Sequence, residues 1–139
     1  MRKRTAVYLL DHRLTATTGS RVDTTDSWLG SSPYVGYRQD APSGLDLKQV
    51  QDLANGLIQH GLNVEIKTMD RVDAERMIAS TINLARLSNN VKLRIVTIEG
   101  QLQNPCGGTH VLNLKEIGAL EVRGTEPTET GFRLLFEVK

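Results

Sequence analysis

The chain has 139 residues, the length of one ordinary domain and too little for two cores, so residues 1–139 are read as a single domain. Lys+Arg 17 against Asp+Glu 16 leaves a formal charge of +1, which excludes a polyelectrolyte tail built for DNA or a membrane surface. One cysteine excludes an internal disulfide, and three histidines (His12, His60 and His110) restrict how a soft metal could be held.

Near the start, Ala6, Leu9, Leu10 and Leu14 suggest a short helix. The apolar run Ala6–Leu10 is too short for an export signal or a membrane span, and with one free thiol it predicts a cytoplasmic protein. Two weaker strand candidates follow, 20–29 and 33–39. Leu47, Val50, Leu53, Ala54, Leu57 and Ile58 share one helical face, with Ser43 or Asp46 as cap and Gly61 as stop. Leu62, Val64 and Ile66 alternate with polar residues as in a half-buried strand. A further helix is expected over Ala74, Met77, Ile78, Thr81, Ile82 and Ala85, opened by Asp70 and with Asp73 in its first turn. Strand alternation returns at Val91, Leu93 and Ile95, and again at Phe132, Leu134, Phe136 and Val138. The last of these pairs with 117–123 across a loop from Gly124 to Gly131. Strands grouped between separate helices, without βαβ alternation, predict an α+β domain: a largely antiparallel sheet packed with three to four helices.

Chemistry concentrates in one loop, Asn104-Pro105-Cys106-Gly107-Gly108-Thr109-His110, followed by Asn113, Glu116, Ile117 and Gly118. Paired glycines admit a close backbone approach, and Cys106 and His110 stand four apart, a spacing that can aim a thiolate and an imidazole at one ion. Taken alone, such a pair equally describes a small buried hydrophobe and a satisfied polar residue.

The string Cys-Gly-Gly-Thr-His followed by Asn113-x-x-Glu116-Ile117-Gly118 resembles the editing domain of alanyl-tRNA synthetases and their free-standing AlaX-type trans-editing relatives, the second additional domain shared with threonyl-tRNA synthetases. The Gly-Gly-Thr tripeptide favours the alanyl branch. The resemblance implies hydrolysis in trans of the ester joining serine or glycine to tRNA for alanine, without a nucleotide cofactor. It further implies one zinc, held by Cys106, His110 and two histidines of a His-x-x-x-His pair on the first helix. Here that helix reads Arg4-Thr5-Ala6-Val7-Tyr8-Leu9-Leu10: the flanking anchors match, and Arg4 and Tyr8 stand where the histidines are expected. A guanidinium cannot ligate zinc, and a phenol is mostly protonated near neutral pH, so the metal site reads as incomplete. His12, one turn beyond Tyr8, lies about 6 Å too far along the helix to substitute without a shift.

Without the metal, the candidate catalytic residues are His110 as base, Cys106 as nucleophile and Thr109. Gly107 and Gly108 offer backbone N–H groups, and Arg4 and Tyr8 line the substrate position. Through Val22, Arg2, Lys3, Arg4, Arg13 and Arg21 face a single acid, Asp11; Arg2, Lys3 and Arg13 are the candidate tRNA contacts. The alternative is a non-catalytic module that binds tRNA or the aminoacyl group.

Overall fold

The computed structural model describes residues 1–19, 22–78, 92–100, 103–106 and 108–139. Thr81, Ile82 and Ala85, expected in a helix, and Val91, expected in a strand, lie outside these residues, as does Gly107 of the loop.

The first helix, α1, spans Arg2–Thr18 and ends on Gly19 in the left-handed conformation at φ 72°. It is far longer than the short helix expected. Thr5, Ala6, Val7, Leu9, Leu10, Asp11, His12 and Leu14 are all buried, so its surroundings close over more than one face. A helix covered this widely shows no single apolar stripe, which is why periodicity understated it. The hairpin β1 (Thr24–Trp28) and β2 (Tyr34–Tyr37) follows.

The second helix, α2 (Leu47–His60), forms as its sequence demands. The Asp46 side chain accepts the Gln49 N–H, Val50, Ala54 and Ile58 are buried, and Gly61 closes it at φ 72°. β3 (Val64–Asp70) leads into α3, described over Arg71–Ile78. Asp70, expected to open α3, is instead the last residue of β3, opposite Lys92. β4 (Lys92–Ile98) and the short β5 (Gln103–Pro105), which the sequence did not announce, lie just ahead of the Cys106 loop.

After the loop, a 3₁₀ turn takes Leu114–Ile117 before β6 (Leu120–Pro127) and β7 (Phe132–Val138). The expected strand 117–123 therefore starts three residues later, because Ile117 ends the 3₁₀ turn. It also runs further: Gly124 and Thr125, expected in a loop, pair with Leu135 and Leu134 across a bulge.

The strands form two antiparallel sheets, β1-β2-β7-β6 and β3-β4-β5. One sheet was expected; hydropathy alternation reports pleat and burial, but not which strands share a ladder. The inner face of the larger sheet presents Val35, Tyr37, Phe132, Leu134 and Phe136 to α1 and α2, all buried. α1 is pinned to this sheet by a polar contact at its buried Asp11, whose carboxylate accepts from the Tyr37 hydroxyl (2.7 Å) and from Thr24 (3.0 Å). The smaller sheet delivers Cys106 to the N-terminal half of α1. Beyond the loop, 62–64 and 112–114 are tied by backbone bonds from Val64 to Leu112 (2.9 Å) and from Leu114 to Leu62 (2.9 Å). The architecture is the α+β domain that the sequence predicts. Among the described residues, no helix is long and apolar enough to cross a membrane.

Candidate active site at the junction of the first helix and the cysteine loop

Positions 4 and 8 of α1 are one helical turn apart and share a face, and the 106–110 loop docks on that face. Thr5, fully buried beside them, anchors the loop. Its Oγ1 lies 3.0 Å from His110 Nδ1, accepts the Val111 N–H at 3.2 Å and sits 3.1 Å from the Met1 carbonyl. One hydroxyl proton cannot serve both the carbonyl and the imidazole. When Thr5 donates to Met1, Nδ1 carries the hydrogen and Nε2 keeps its lone pair; when Thr5 donates to Nδ1, Nε2 is the N–H.

His110 is 3% exposed, and its Nε2 is buried with no hydrogen-bond partner among the described residues. Burial, then the charges of Arg4 and Arg94, lower its pKa to about 4, so the ring is neutral at physiological pH. The Tyr8 ring lies against it, centroids 5.2 Å apart. The Tyr8 hydroxyl is hydrogen-bonded to the Cys106 side chain; burial first, and that bond second, push the phenol well above its ordinary range. Tyr8 is therefore a neutral link between Cys106 and His110.

Cys106 Sγ also accepts the Gly108 N–H at 3.3 Å. This changes one expectation: the Gly108 N–H, a candidate oxyanion donor, is already committed to the sulfur. Arg94 on β4 holds the loop from the other side, its backbone carbonyl accepting the Cys106 N–H (2.9 Å) and its Nη1 donating to the Gly108 carbonyl (2.7 Å). Thr109 is exposed on the loop.

Arg4 lies across Gly108. A methyl group on Gly108 would collide with Arg4 Nε and Cδ and come within 2.9 Å of Cζ, so only glycine lets the guanidinium settle there. Among the described residues Arg4 has neither a hydrogen-bond nor a carboxylate partner. The other N-terminal cations are employed differently. Arg2 donates to the carbonyls of Ile117 (2.6 Å) and Lys139 (2.5 Å), and Lys3 Nζ to that of Gly30 (3.0 Å). Arg13 lies about 13 Å further along α1, where burial lowers its pKa. A groove of about 550 Å³ opens beside Arg4, lined by the cations Arg2, Lys3 and Arg4 and by the apolar Leu29, Val111 and Val138. Its one carboxylate, Glu116, accepts the N–H groups of Leu112 (3.0 Å) and Asn113 (2.9 Å).

The donor set does not fit a four-coordinate zinc. Of the four positions that meet, one holds a guanidinium without a lone pair to give, and one holds a phenol kept protonated. Among the described residues no three His, Cys, Asp or Glu side chains assemble into a metal-holding group, and His12, buried at 4% exposure, does not join Cys106 and His110 in one.

The second half of the motif has a different role. Asn113 and Glu116 form a capping box on the 3₁₀ turn, and Asn113 Nδ2 also donates to the Gly61 carbonyl at 2.6 Å. Gly118 sits at φ 90°, where any side chain would meet the Lys139 carbonyl. These residues build the turn that carries the loop. Two residues of structural weight, Asp11 and Thr5, were missed, because polar residues inside a helix announce their partners only when distant strands and loops arrive.

Residues 93–133 match the family described as the threonyl and alanyl tRNA synthetase second additional domain. The chain is 34% identical to the alanine–tRNA ligase of Methanococcus vannielii over 142 residues, covering 97% of this chain and 15% of the ligase. It is 32% identical to that of Korarchaeum cryptofilum over 75% of the chain and 11% of the ligase, and 33% identical to that of Hyperthermus butylicus over 66% and 10%. The chain thus spans about 15% of the length of the curated relatives it matches most fully. In sequence, the chain is a relative of the alanyl-tRNA synthetases, through the second additional domain that they share with threonyl-tRNA synthetases.

Proposed function

We propose that the protein is an aminoacyl-tRNA deacylase that works in trans, in the cytoplasm, on tRNA for alanine wrongly charged with serine or glycine, and that it does so without zinc. One observation carries this reading: Arg4, Tyr8, Cys106 and His110 meet in one site, and the buried Nε2 of His110 has no partner there among the described residues. The kinship with alanine–tRNA ligases supplies the substrate class.

In the tautomer with Nδ1–H on Thr5, Nε2 accepts a proton from a water molecule attacking the ester carbonyl. Arg4, the free cation beside it, stabilises the oxyanion that forms. The proton then passes from Nε2 to the departing ribose oxygen. A pKa near 4 makes His110 a weak base that is always in its basic form at neutral pH, so chemistry is slow and insensitive to pH above about 5. Cys106 orients Tyr8 and the loop.

Hydrolysis of seryl- and glycyl-tRNA for alanine is the direct test, with wild type, His110→Ala and Cys106→Ala compared. Loss in His110→Ala by 10²-fold or more supports the reading; unchanged rates remove His110 from the mechanism. Purified protein is expected to lack stoichiometric zinc. The double variant Arg4→His with Tyr8→His restores a four-ligand set and is expected to take zinc up. The weak basicity that burial, and after it the charge of Arg4, impose on His110 favours a second reading, a module that binds the aminoacyl end without cleaving it. Salt-sensitive tRNA binding with no hydrolysis by wild type would select it.

A further inference from the structure

We infer that the outer face of the β1-β2-β7 sheet, centred on Trp28, is a stacking platform for the unpaired 3′ end of an RNA chain. The inference rests on the tRNA reading above and adds which part of the RNA is held, and by what.

Trp28 is the only tryptophan of the chain and is 54% exposed. Its ring is nevertheless fixed. Nε1 donates to the Ser31 carbonyl at 2.9 Å, and the six-membered part of the ring folds down on Gly30, where a methyl group would come within 2.7 Å of Cζ2. The turn thus holds one side of the indole and leaves the rest to solvent. Directly opposite in the ladder is Tyr34, and the Arg133 guanidinium lies 4.3 Å from the Tyr34 ring centroid. These side chains are not overflow from the core, because the core face of the same strands is filled by Val35, Tyr37 and Phe132. Two aromatic rings beside a stacked guanidinium on an open sheet face are what successive unpaired bases require. Duplex bases, already stacked on each other, cannot use them.

Charge places the phosphates. Lys3 donates to the carbonyl of Gly30, the residue the indole folds onto, and Leu29, the neighbour of Trp28, lines the same groove as Arg2, Lys3 and Arg4. Through Leu29, Trp28 adjoins the groove that Arg4 lines. The carboxylate on the platform, Asp26, lies over Gly36 with the Tyr34 hydroxyl 3.5 Å away. It repels phosphates from that row and directs the backbone toward Lys3 and Arg4. A strand with stacked terminal bases then reaches the site with its 3′ ribose.

The single tryptophan makes the test direct: titrate the 139-residue protein with a tetranucleotide RNA ending in CCA, and follow Trp28 fluorescence and affinity. Saturable quenching is expected, with affinity falling roughly 5- to 100-fold in Trp28→Ala, as expected for the loss of one stacked base, and largely kept in Trp28→Phe. Arg4→Gln weakens binding and lowers its salt dependence. Asp26→Asn tightens it. Trp28→Ala that melts like wild type and binds the oligonucleotide equally well overturns the platform, as does a blunt RNA duplex that binds and quenches as strongly. Deacylation is scored separately. Oligonucleotide binding through Trp28 without hydrolysis by wild type upholds the platform and sinks the deacylase reading. Full hydrolysis with an unchanged KM in Trp28→Ala does the reverse.

Discussion

Two neighbouring stretches, Cys106–His110 and Asn113–Gly118, belong to one sequence motif yet are constructed on opposite principles. In the second, polar groups are matched: Glu116 holds two backbone N–H groups, and Asn113 answers both the 3₁₀ turn and Gly61. In the first, capacity is left over. Among the described residues, His110 Nε2 is buried and unmatched, and Arg4 brings an uncompensated charge onto Gly108. Leaving a buried polar group unpaired costs on the order of 1–3 kcal/mol, so a fold that satisfies one half of a motif and not the other marks the unsatisfied half as a place for a ligand. A motif residue is thus informative about chemistry only after its hydrogen bonds have been counted.

The comparison can be broken most sharply by substituting one residue from each half. His110→Ala is expected to reduce deacylation by 10²–10⁴-fold while the domain stays folded. Glu116→Ala should spare the chemistry and cost about 1–2 kcal/mol in stability by urea denaturation, since it frees two N–H groups of the capped turn. Equal losses of activity in the two variants would erase the distinction.

Acid sharpens it next. Burial lowers the pKa of His110, and separately that of His12, from 6.5 to about 4. Between these values the unfolded chain binds protons that the native state refuses, so stability is complete above about pH 6.5 and falls as pH drops toward 4. Both histidines contribute to that loss. Equilibrium unfolding at pH 7 and pH 4.5 checks the sum, and His12→Gln separates the two. The smallest effect is expected from Arg4→Gln, which removes the second cause of the His110 shift and raises its pKa part of the way back, readable by NMR titration. An unmoved or lowered value would show that Arg4 does not bear on His110.

Much of the fold was legible because its signals are local. Asp46, the apolar face of α2 and Gly61 state a helix within sixteen residues, and alternation in 132–138 states a strand whichever partner it finds. Register in the first helix was legible as well: Thr5-Ala6 and Leu9-Leu10 placed Arg4 and Tyr8 opposite Cys106 and His110, where the structure puts them. The length of α1 was not, since a helix buried on several faces loses its periodicity.

By itself, then, the sequence determined the helices with caps, the alternating strands, the loop with its cysteine and histidine, and a cation and a phenol at positions 4 and 8 of the first helix. Only the tertiary structure decided which of these groups remain available. Among the described residues, Arg2 and the Gly108 N–H were absorbed by carbonyls and a sulfur, while Arg4, His110 Nε2 and the open side of Trp28 were left over. The physical reason is that propensity and pattern act over a few residues, whereas saturation of a donor or acceptor depends on what arrives from more than a hundred residues away, as between Thr5 and His110.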